Sequence, residues 1–254
     1  MVKMILCGCR GHMGRVITEL AGSEEELKIV AGIDPAPGPD MGYPVFASFA
    51  ECTQEADVIV DFSSPKVFDS LVDYACEKKI PAVVCTTGLT KEQTDRLDAE
   101  AARNAFLRSA NMSLGINLLM SLLKDAVKTL GPAGFDVEIV EQHHNLKKDA
   151  PSGTALALAD SINEAAGGQY EYIYDRSGRS AAREKKELGI SAVRGGTISG
   201  IHEVIFAGTQ ETITFTHTAY SKAVFARGAL QAAKFLAGKA PGMYSMADVI
   251  EASK

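Results

Sequence analysis

The chain lacks several features that would place it in common functional classes. No apolar run approaches the roughly 20 residues of a membrane span, and the first segment is too short in apolar length for a secretory signal. The five cysteines are scattered without a C-x-x-C pair, so neither a disulfide framework nor a zinc site is indicated. The net charge is −6, and no basic stretch is interleaved with aromatic residues. We therefore expect a cytoplasmic protein whose partners include no metal, membrane or nucleic acid.

Strand and helix signals alternate along the first 108 residues. With 254 residues, of which 46% are hydrophobic, the chain can bury one large or two modest cores. The alternation predicts an α/β fold with a doubly wound, Rossmann-type parallel sheet. The expected strands cover residues 2–7, 28–33, 56–61, 81–85 and 105–108, and the expected helices run to Leu20, from the Phe62–Pro65 turn to Cys76, and over 91–103.

The pattern changes after residue 113. A long helix over 113–130 leads to a strand at 135–140, and three strand-like runs at 190–194, 198–206 and 212–219 follow one another without helices. Such a succession predicts a second, α+β domain with an open mixed sheet. The last helix, 222–236, is alanine-rich and is expected to pack on the first sheet. We expect a dinucleotide-binding domain of 1–113 and 222–254, and a substrate-binding and oligomerisation domain of 114–221.

The first expected strand runs directly into a glycine-rich turn. Gly8, Gly11 and Gly14 are spaced as G-x-x-G-x-x-G, and Asp34 stands twenty residues beyond, after the second strand. Such glycines let a backbone approach a pyrophosphate, and such an acid accepts from the ribose hydroxyls of a dinucleotide. Because parallel strands end at one edge of a sheet, Phe62–Ser63 and Thr86–Gly88 should flank the same cleft.

The segment 141–154 concentrates proton donors and cations. His143, His144, Lys147 and Lys148 lie between a predicted strand and a helix expected over 154–162. A helix start offers free N–H groups and a positive dipole end, and Ser152 and Gly153 permit close approach there. Neighbouring histidines on an extended backbone point to opposite faces, which argues against a metal. The segment predicts a site for a small substrate that carries carboxylates.

Further motifs are spread along the chain in a fixed order. They are Gly8-x-x-Gly11-x-Met13-Gly14, Asp61-Phe62-Ser63, Thr86-Thr87-Gly88, Ala110-Asn111-Met112-Ser113, His143-His144-x-x-Lys147, Asp149-Ala-Pro-Ser-Gly-Thr154, Arg194-Gly195-Gly196, Gly200-x-His202 and His217-x-Ala-x-Ser221. Together they resemble the dihydrodipicolinate reductase family, and the likeness covers nearly the whole chain. The resemblance implies NAD(P)H-dependent reduction of a cyclic imine with two carboxylates to tetrahydrodipicolinate, in lysine and diaminopimelate biosynthesis, by a homotetramer.

The resemblance also implies roles for single residues. His143 would donate the proton and Lys147 would pair with the substrate, while Ser152, Gly153 and Thr154, with His144 nearby, would bind a carboxylate. Cys85 stands where the family commonly has glycine beside the nicotinamide. Cofactor contacts would come from Gly8, Gly11, His12, Met13, Gly14, Asp34, Phe62, Cys85, Thr87, Asn111 and Met112.

The cofactor preference and two alternative functions stay open at this point. Asp34 would repel a 2′-phosphate and Pro35 supplies no cation, so NADH should serve at least as well as NADPH, although Arg10 and His12 could reach the phosphate. A nucleotide-binding assembly protein without activity, or a reductase of another small carboxylate-bearing substrate, would share the fold.

Several other residues have plain structural interpretations. His202 and His217 are expected to be core or interface histidines, and Leu118, Leu119, Leu122 and Leu123 to be core. The charged run 183–187 is expected to be solvated. Arg176 and Arg179 would approach a substrate only if their segment folds over it.

Overall fold

A computed structural model describes residues 1–253 of the chain. It divides them into two compact units, one formed by residues 1–114 with 223–253 and the other by Gly115–Lys222. Among the described residues, every helix is too short or too polar to cross a bilayer.

The elements follow one another along the chain with short connections. The strands are β1 (Val2–Cys7), β2 (Leu27–Ile33), β3 (Val45–Phe46), β4 (Val58–Asp61), β5 (Ala82–Val84), β6 (Ala105–Arg108), β7 (Asp136–His143), β8 (Glu171–Ile173), β9 (Glu187–Arg194), β10 (Gly200–Ala207), β11 (Thr212–Ala219) and β12 (Gly242–Tyr244). The helices are α1 (His12–Ala21), α2 (Phe68–Lys78), α3 (Lys91–Glu100), α4 (Leu114–Leu130), α5 (Gly153–Ala165), α6 (Ala223–Leu236) and α7 (Met246–Glu251).

The first unit is built on a parallel sheet with helices on both faces. Within residues 1–253 its strand order is β12-β6-β5-β4-β1-β2-β3, and all neighbours run parallel. Successive residues of β1 alternate between the faces: Leu6 packs with α1 and α6, whereas Ile5 packs with α2 and α3. Burial on both faces explains why these strands are continuously apolar. The predicted doubly wound sheet is confirmed.

Helix α6 supplies much of the core on one face of this sheet. Its alanines let the helix backbone approach the strands closely, so a short side chain still excludes water. The contacts with β4, β5 and β6 confirm the prediction that the last long helix packs on the first sheet. The buried residues of α6 in this core are Ala226, Ala229, Leu230, Ala232, Ala233 and Leu236.

The second unit contains the predicted open mixed sheet. Its order in the described residues is β11-β10-β7-β9-β8, with β7 parallel to β9 and antiparallel to β10. One face packs on α4 and α5 through residues such as Ile139, Leu123 and Leu158. The opposite face carries half-buried Val140 on its central strand and exposed Val193 beside it. Since β7 alternates between the faces, its odd-numbered residues from 137 to 143 point toward the helices.

Three local predictions are wrong. Leu118 and Leu122 are 44% and 47% exposed, because only the 3–4 spaced residues 116, 119, 123 and 127 of α4 face the sheet. Helix α2 begins at Phe68, since the residues after Phe62 first form a turn in which Val67 N–H donates to Ser64 O. The run 183–187 is not fully solvated, because Glu187 is buried.

The arginines before β9 are occupied within the second unit. Arg176 binds the carboxylates of Glu138 and Glu187, both at 2.6 Å, and Arg179 binds Glu187 at 2.5 Å. Arg183 pairs with Glu138 as well. These ion pairs attach the segment before β9 to the sheet.

Candidate active site

The turn after β1 contains glycines at two positions where the neighbouring backbone leaves no room for a side chain. Gly8 has φ +76°, and a Cβ there would lie 2.5 Å from Phe62 O. A Cβ on Gly14 would lie 2.3 Å from Gly8 O. Gly11 is exposed and precedes the first residue of α1. The turn therefore presents open backbone at a helix start, which suits the pyrophosphate of a dinucleotide.

Asp34 stands directly after β2 and holds the glycine turn in place. Its Oδ2 accepts Arg10 N–H at 2.9 Å, and its Oδ1 accepts Ala36 N–H at 3.0 Å. The Arg10 guanidinium donates to Ala36 O and lies against Gly38. A carboxylate at the end of β2, with a guanidinium on the adjacent loop, fits the ribose of an adenine dinucleotide.

A cavity of about 370 Å³ opens beside this turn. It confirms that Phe62 and Ser63 share a cleft with Gly8, Gly11 and Asp34. Asp61 is buried at the end of β4, and its Oδ1 accepts Ser63 N–H, which fixes this rim. Burial raises the pKa of Asp61, although hydrogen bonds from Ser63 oppose that rise. The cavity is lined by Cys7, Gly8, Gly11, Ile33, Asp34, Pro35, Ala47, Ser48, Phe49, Phe62, Ser63, Ser64, Lys66, Val67 and Ser70.

The other expected cofactor residues are spread over the same unit. Thr87 lines a second cavity of about 360 Å³ with Thr86, Gly88 and Arg108, so the Thr86–Gly88 turn and the glycine turn line separate cavities. Cys85 and Met112 are buried in the core. The remaining positions differ in exposure: Gly14 is buried, Met13 and Asn111 are half-buried, and His12 is exposed.

The polar segment of the second unit forms a strand, a loop and a helix start. His143 is the last residue of β7, not a loop residue, and it is 9% exposed. His144 follows it and is half-buried. Helix α5 begins at Gly153, and Ser152 caps it by accepting Ala155 N–H at 3.2 Å. The predicted helix start is therefore present, one residue earlier than expected.

Glu141 lies beneath this segment and is completely buried. Its Oε2 is 2.6 Å from His143 Nδ1 and accepts from Arg194 Nη1 at 2.8 Å. Its Oε1 accepts from Arg194 Nη2 at 2.6 Å and from Ser152 N–H at 2.9 Å. Burial alone would raise the pKa of Glu141, but the hydrogen bonds from Arg194, His143 and Ser152 lower it below its ordinary value. The group is thus a carboxylate with both oxygens fully engaged.

His202 joins the same cluster from β10. Its ring lies 5.2 Å from that of His143, nearly perpendicular to it, and its Nε2 is 3.0 Å from Ser152 Oγ. Burial, with a smaller contribution from His143, lowers the pKa of His202 to about 4, so the ring is neutral at pH 7. The expectation that His202 is a buried histidine is met, but its placement beside His143 and Ser152 makes it part of the site.

Three further expected substrate-binding groups, Lys147, Gly153 and Thr154, are half-buried or exposed. Lys147 Nζ pairs with Asp149 Oδ1 at 2.9 Å, and this contact lowers the pKa of Asp149. Gly153 is exposed, and a Cβ on it would meet no atom within 4 Å. Thr154 follows it in the first turn of α5 and is half-buried. An anion can therefore approach this helix start without obstruction.

Glu141, Arg194 and His202 were not predicted as site residues. Alternation along β7 did indicate that Glu141 lies beside His143, because residues two apart on a strand share a face. Arg194 and His202 lie 53 and 61 residues beyond Glu141, and only the strand register places Arg194 opposite His143 and His202 opposite Glu141. Spacing along the chain carries no such information.

Comparison with known proteins accounts for both units. A family model described as the N-terminus of dihydrodipicolinate reductase matches residues 2–112, and one for its C-terminus matches 115–250. The chain belongs to the dihydrodipicolinate reductase family. Family membership makes it an NAD(P)H-dependent oxidoreductase and confirms the resemblance inferred from the motifs.

Named relatives match over the full length. The 4-hydroxy-tetrahydrodipicolinate reductase of Caldanaerobacter subterraneus subsp. tengcongensis is 49% identical over 251 residues, covering 99% of each chain. That of Clostridium tetani is 49% identical over 246 residues, covering 97% of this chain and 96% of its own.

Solved structures show the same fold. A dipicolinate-bound dihydrodipicolinate reductase from Paenisporosarcina sp. TG-14 superposes with a TM-score of 0.81 at 24% identity, covering 96% of this chain and 97% of that one. A probable dehydrogenase from Thermotoga maritima gives a TM-score of 0.61 at 12% identity, covering 99% and 93%.

Proposed function

We propose that the chain reduces 4-hydroxy-tetrahydrodipicolinate to tetrahydrodipicolinate with NADH or NADPH, in lysine and diaminopimelate biosynthesis. The observation that carries the proposal is the grouping of an imidazole, an ammonium group and an open helix start within one strand, loop and helix. A cyclic imine with two carboxylates needs these three groups: a proton donor, a counter-charge and an anion site. The names of the full-length relatives support the same reaction.

The two units would bind different ligands. The first unit, with its glycine turn and Asp34, would bind the cofactor, and the second would bind the substrate. A nicotinamide cofactor supplies a hydride when bound. Its adenosine half would lie against Gly8, Gly11, His12, Met13, Gly14, Asp34 and Phe62, and the rest would extend toward Cys85, Thr87, Asn111 and Met112.

His143 would supply the proton. Loss of the 4-hydroxyl group as water leaves a conjugated imine, and hydride addition to that imine leaves an enamine that must be protonated. An imidazole is a common proton donor for such a step. His143 is mostly buried, which keeps competing water away from the transfer. Lys147 would exchange its Asp149 partner for a substrate carboxylate, since the pair lies at a partly solvated position.

The helix start would hold a substrate carboxylate. Ser152 N–H is already bonded to Glu141, and Ser152 Oγ to Ala155 N–H and His202. We therefore assign direct contact to Gly153 and Thr154, with His144 beside them, and assign to Ser152 the shaping of the turn. The positive end of the α5 dipole adds to the attraction for the anion.

NADH should serve at least as well as NADPH. Each oxygen of Asp34 accepts one backbone N–H and keeps capacity for a ribose hydroxyl, whereas a 2′-phosphate would meet its negative charge. The nearby Arg10 already bonds to Ala36 O. Its guanidinium would have to leave that carbonyl to neutralise a phosphate, so we expect use of both cofactors with no strong preference for NADPH.

Four copies would assemble through the face of the second sheet opposite α4 and α5. That face presents apolar side chains on neighbouring strands, among them Val140, Val193, Ile201 and Ile205. A partner that covers them would remove an apolar face from water. The cytoplasm suits such an enzyme, because its cysteines are free thiols and four of the five are buried.

A coupled assay tests the activity. Dihydrodipicolinate synthase would make the substrate from pyruvate and aspartate semialdehyde, and nicotinamide absorbance would report reduction. Absorbance should fall only when both precursors and the synthase are present. Turnover of simple aldehydes without turnover of this compound would remove the assignment.

A further inference from the structure

The cluster around His143 contains a carboxylate that the proposed reaction does not itself use. Glu141 is completely buried, and its carboxylate is bonded to His143, Arg194 and Ser152 N–H. A buried charge costs free energy unless it is paired and hydrogen-bonded, and four short contacts meet that condition for Glu141. One of these contacts joins Glu141 Oε2 to His143 Nδ1 at 2.6 Å.

We infer that Glu141 is a positioning residue, whose carboxylate holds the His143 ring with Nδ1 protonated and thereby directs the Nε2 proton to the substrate. The inference rests on the proposed function, in which His143 is the proton donor. It adds that a single tautomer and ring orientation are fixed before the proton moves.

The carboxylate is itself fixed from two sides. Arg194 binds both oxygens in a bidentate arrangement, and its Nη atoms also donate to the carbonyls of Val193 and Asp149 at 2.7 Å. Ser152 N–H holds Oε1 from the loop. Glu141 cannot rotate without breaking three bonds besides the one to His143. The imidazole is therefore oriented by a rigid acceptor.

One carboxylate thus connects the proton donor to the anion site. Ser152 precedes Gly153, the first residue of α5, so the contact from Ser152 N–H to Glu141 sets the distance between His143 and the helix start. A substrate bound at that helix start would find the donor at a constant position. Positioning of this kind contributes to kcat more than to binding.

Proton balance agrees with this arrangement. Before transfer the ring is an imidazolium, with Nδ1–H donated to Glu141 and Nε2–H available to the substrate. After transfer the neutral ring keeps Nδ1–H, the tautomer that Glu141 accepts, and the proton resides on the reduced substrate. A bound nicotinamide cofactor would supply the hydride with its electron pair. The charged or titratable groups around this cluster are Glu141, Lys147, Asp149, Arg194, His202 and His217.

Glu141→Gln is the decisive variant, because it keeps the shape and removes the charge. Arg194 Nη2 and Ser152 N–H would hold the amide oxygen, so the amide N–H₂ would face His143 Nδ1 and favour the Nε2–H tautomer, at the loss of the bond from Arg194 Nη1. A histidine in the wrong tautomer loses about 10⁴-fold in kcat in serine proteases. We expect a loss of about 10- to 10³-fold here, since only one proton is transferred.

The pH profile separates positioning from general damage. Loss of a carboxylate that orients the proton donor should change the shape of the pH profile of kcat, whereas general damage would lower kcat by the same factor at every pH. The KM for the cofactor should stay unchanged. Glu164→Gln is the matched control, because Glu164 pairs with Lys124 on the surface of α5. Its kcat and pH profile should equal those of the parent.

A measurement on the unmodified enzyme covers the case in which Glu141→Gln does not fold. Solid-state ¹⁵N spectra of protein labelled at its five histidines would report the tautomer of His143 at high pH. His143→Gln identifies the resonance. We expect Nδ1–H in the parent and Nε2–H in Glu141→Gln.

Two outcomes would overturn the inference. The first is a neutral His143 protonated at Nε2 in the parent. The second is a Glu141→Gln enzyme with parental kcat and pH profile. Failure of the proposed function would look different, because the parent itself would not turn over the substrate while its histidine spectrum could still show Nδ1–H.

Discussion

His202→Gln tests whether the fold holds the imidazole beside Ser152 in its neutral form. His202 is 4% exposed, and its pKa falls from an ordinary 6.5 to about 4, first through burial and then through His143. Glutamine does not titrate, and its amide can still bond to Ser152 Oγ. Comparison of the two proteins therefore isolates the titration.

The direction in which stability changes with pH follows from proton binding. Between about pH 6.5 and 4 the unfolded chain binds a proton at residue 202 that the folded protein refuses, so stability is lost as pH falls through this window. The shift of 2.5 units corresponds to about 3 kcal/mol when titration is complete. At about pH 5 the loss relative to about pH 8 should be about 2 kcal/mol per chain.

Urea unfolding at fixed protein concentration would measure this, because assembly makes apparent stability depend on concentration. The stability gap between parent and His202→Gln should change by about 2 kcal/mol between about pH 8 and pH 5, in the direction that favours the variant in acid. Ser152→Ala is the control, because it breaks the same hydrogen bond but keeps the imidazole. The difference in free energy of unfolding between Ser152→Ala and the parent should therefore stay constant with pH. A gap for His202→Gln that changes by less than about 0.5 kcal/mol would show that the ring is not held neutral.

The other predictions concern catalysis, the cofactor and assembly. His143→Gln should lower kcat by about 10²- to 10⁴-fold with cofactor affinity unchanged, whereas Lys147→Ala should impair both KM and kcat; parental kinetics would remove either residue from the site. Gly153→Ala should fold normally, since its Cβ meets no atom, but should raise the KM for the dicarboxylate substrate by obstructing the helix start. The kcat/KM with NADPH should not exceed that with NADH by as much as about tenfold, or 1.4 kcal/mol; if it does, Arg10→Ala should abolish the preference. Light scattering should give a tetramer at micromolar concentration, and a monomer would contradict the proposed interface.

Local signals made most of the first unit predictable. Strands β1 and β6 have the expected bounds because each is a short apolar run between polar or glycine residues. The glycine turn and Asp34 were predictable for the same reason, since their geometry depends on near neighbours. By contrast, β3, β8 and β12 have two or three residues each and become strands only by pairing with β2, β9 and β6.

The cluster around Glu141 was predictable only in part. His143, Lys147 and the start of α5 lie close in sequence, and their chemistry was visible there. The carboxylate below them was visible too, but its role depends on Arg194 and His202, which reach it through strand register. Leu118 and Leu122 show the opposite case. The apolar stripe of α4 is wider than the face that contacts the sheet, so the sequence predicted more core residues on this helix than the structure has.

The position of α6 also determines when the first unit can be completed during synthesis. Residues 115–222, 108 in all, emerge from the ribosome between Leu114 and the helix that covers the sheet. At about 5–20 residues per second this interval lasts about 5–20 s, during which Leu6, Val60 and Leu107 lack the alanines that bury them. The inserted unit is continuous and has its whole core earlier. One face of the first sheet is therefore covered only after the whole inserted unit has been synthesised.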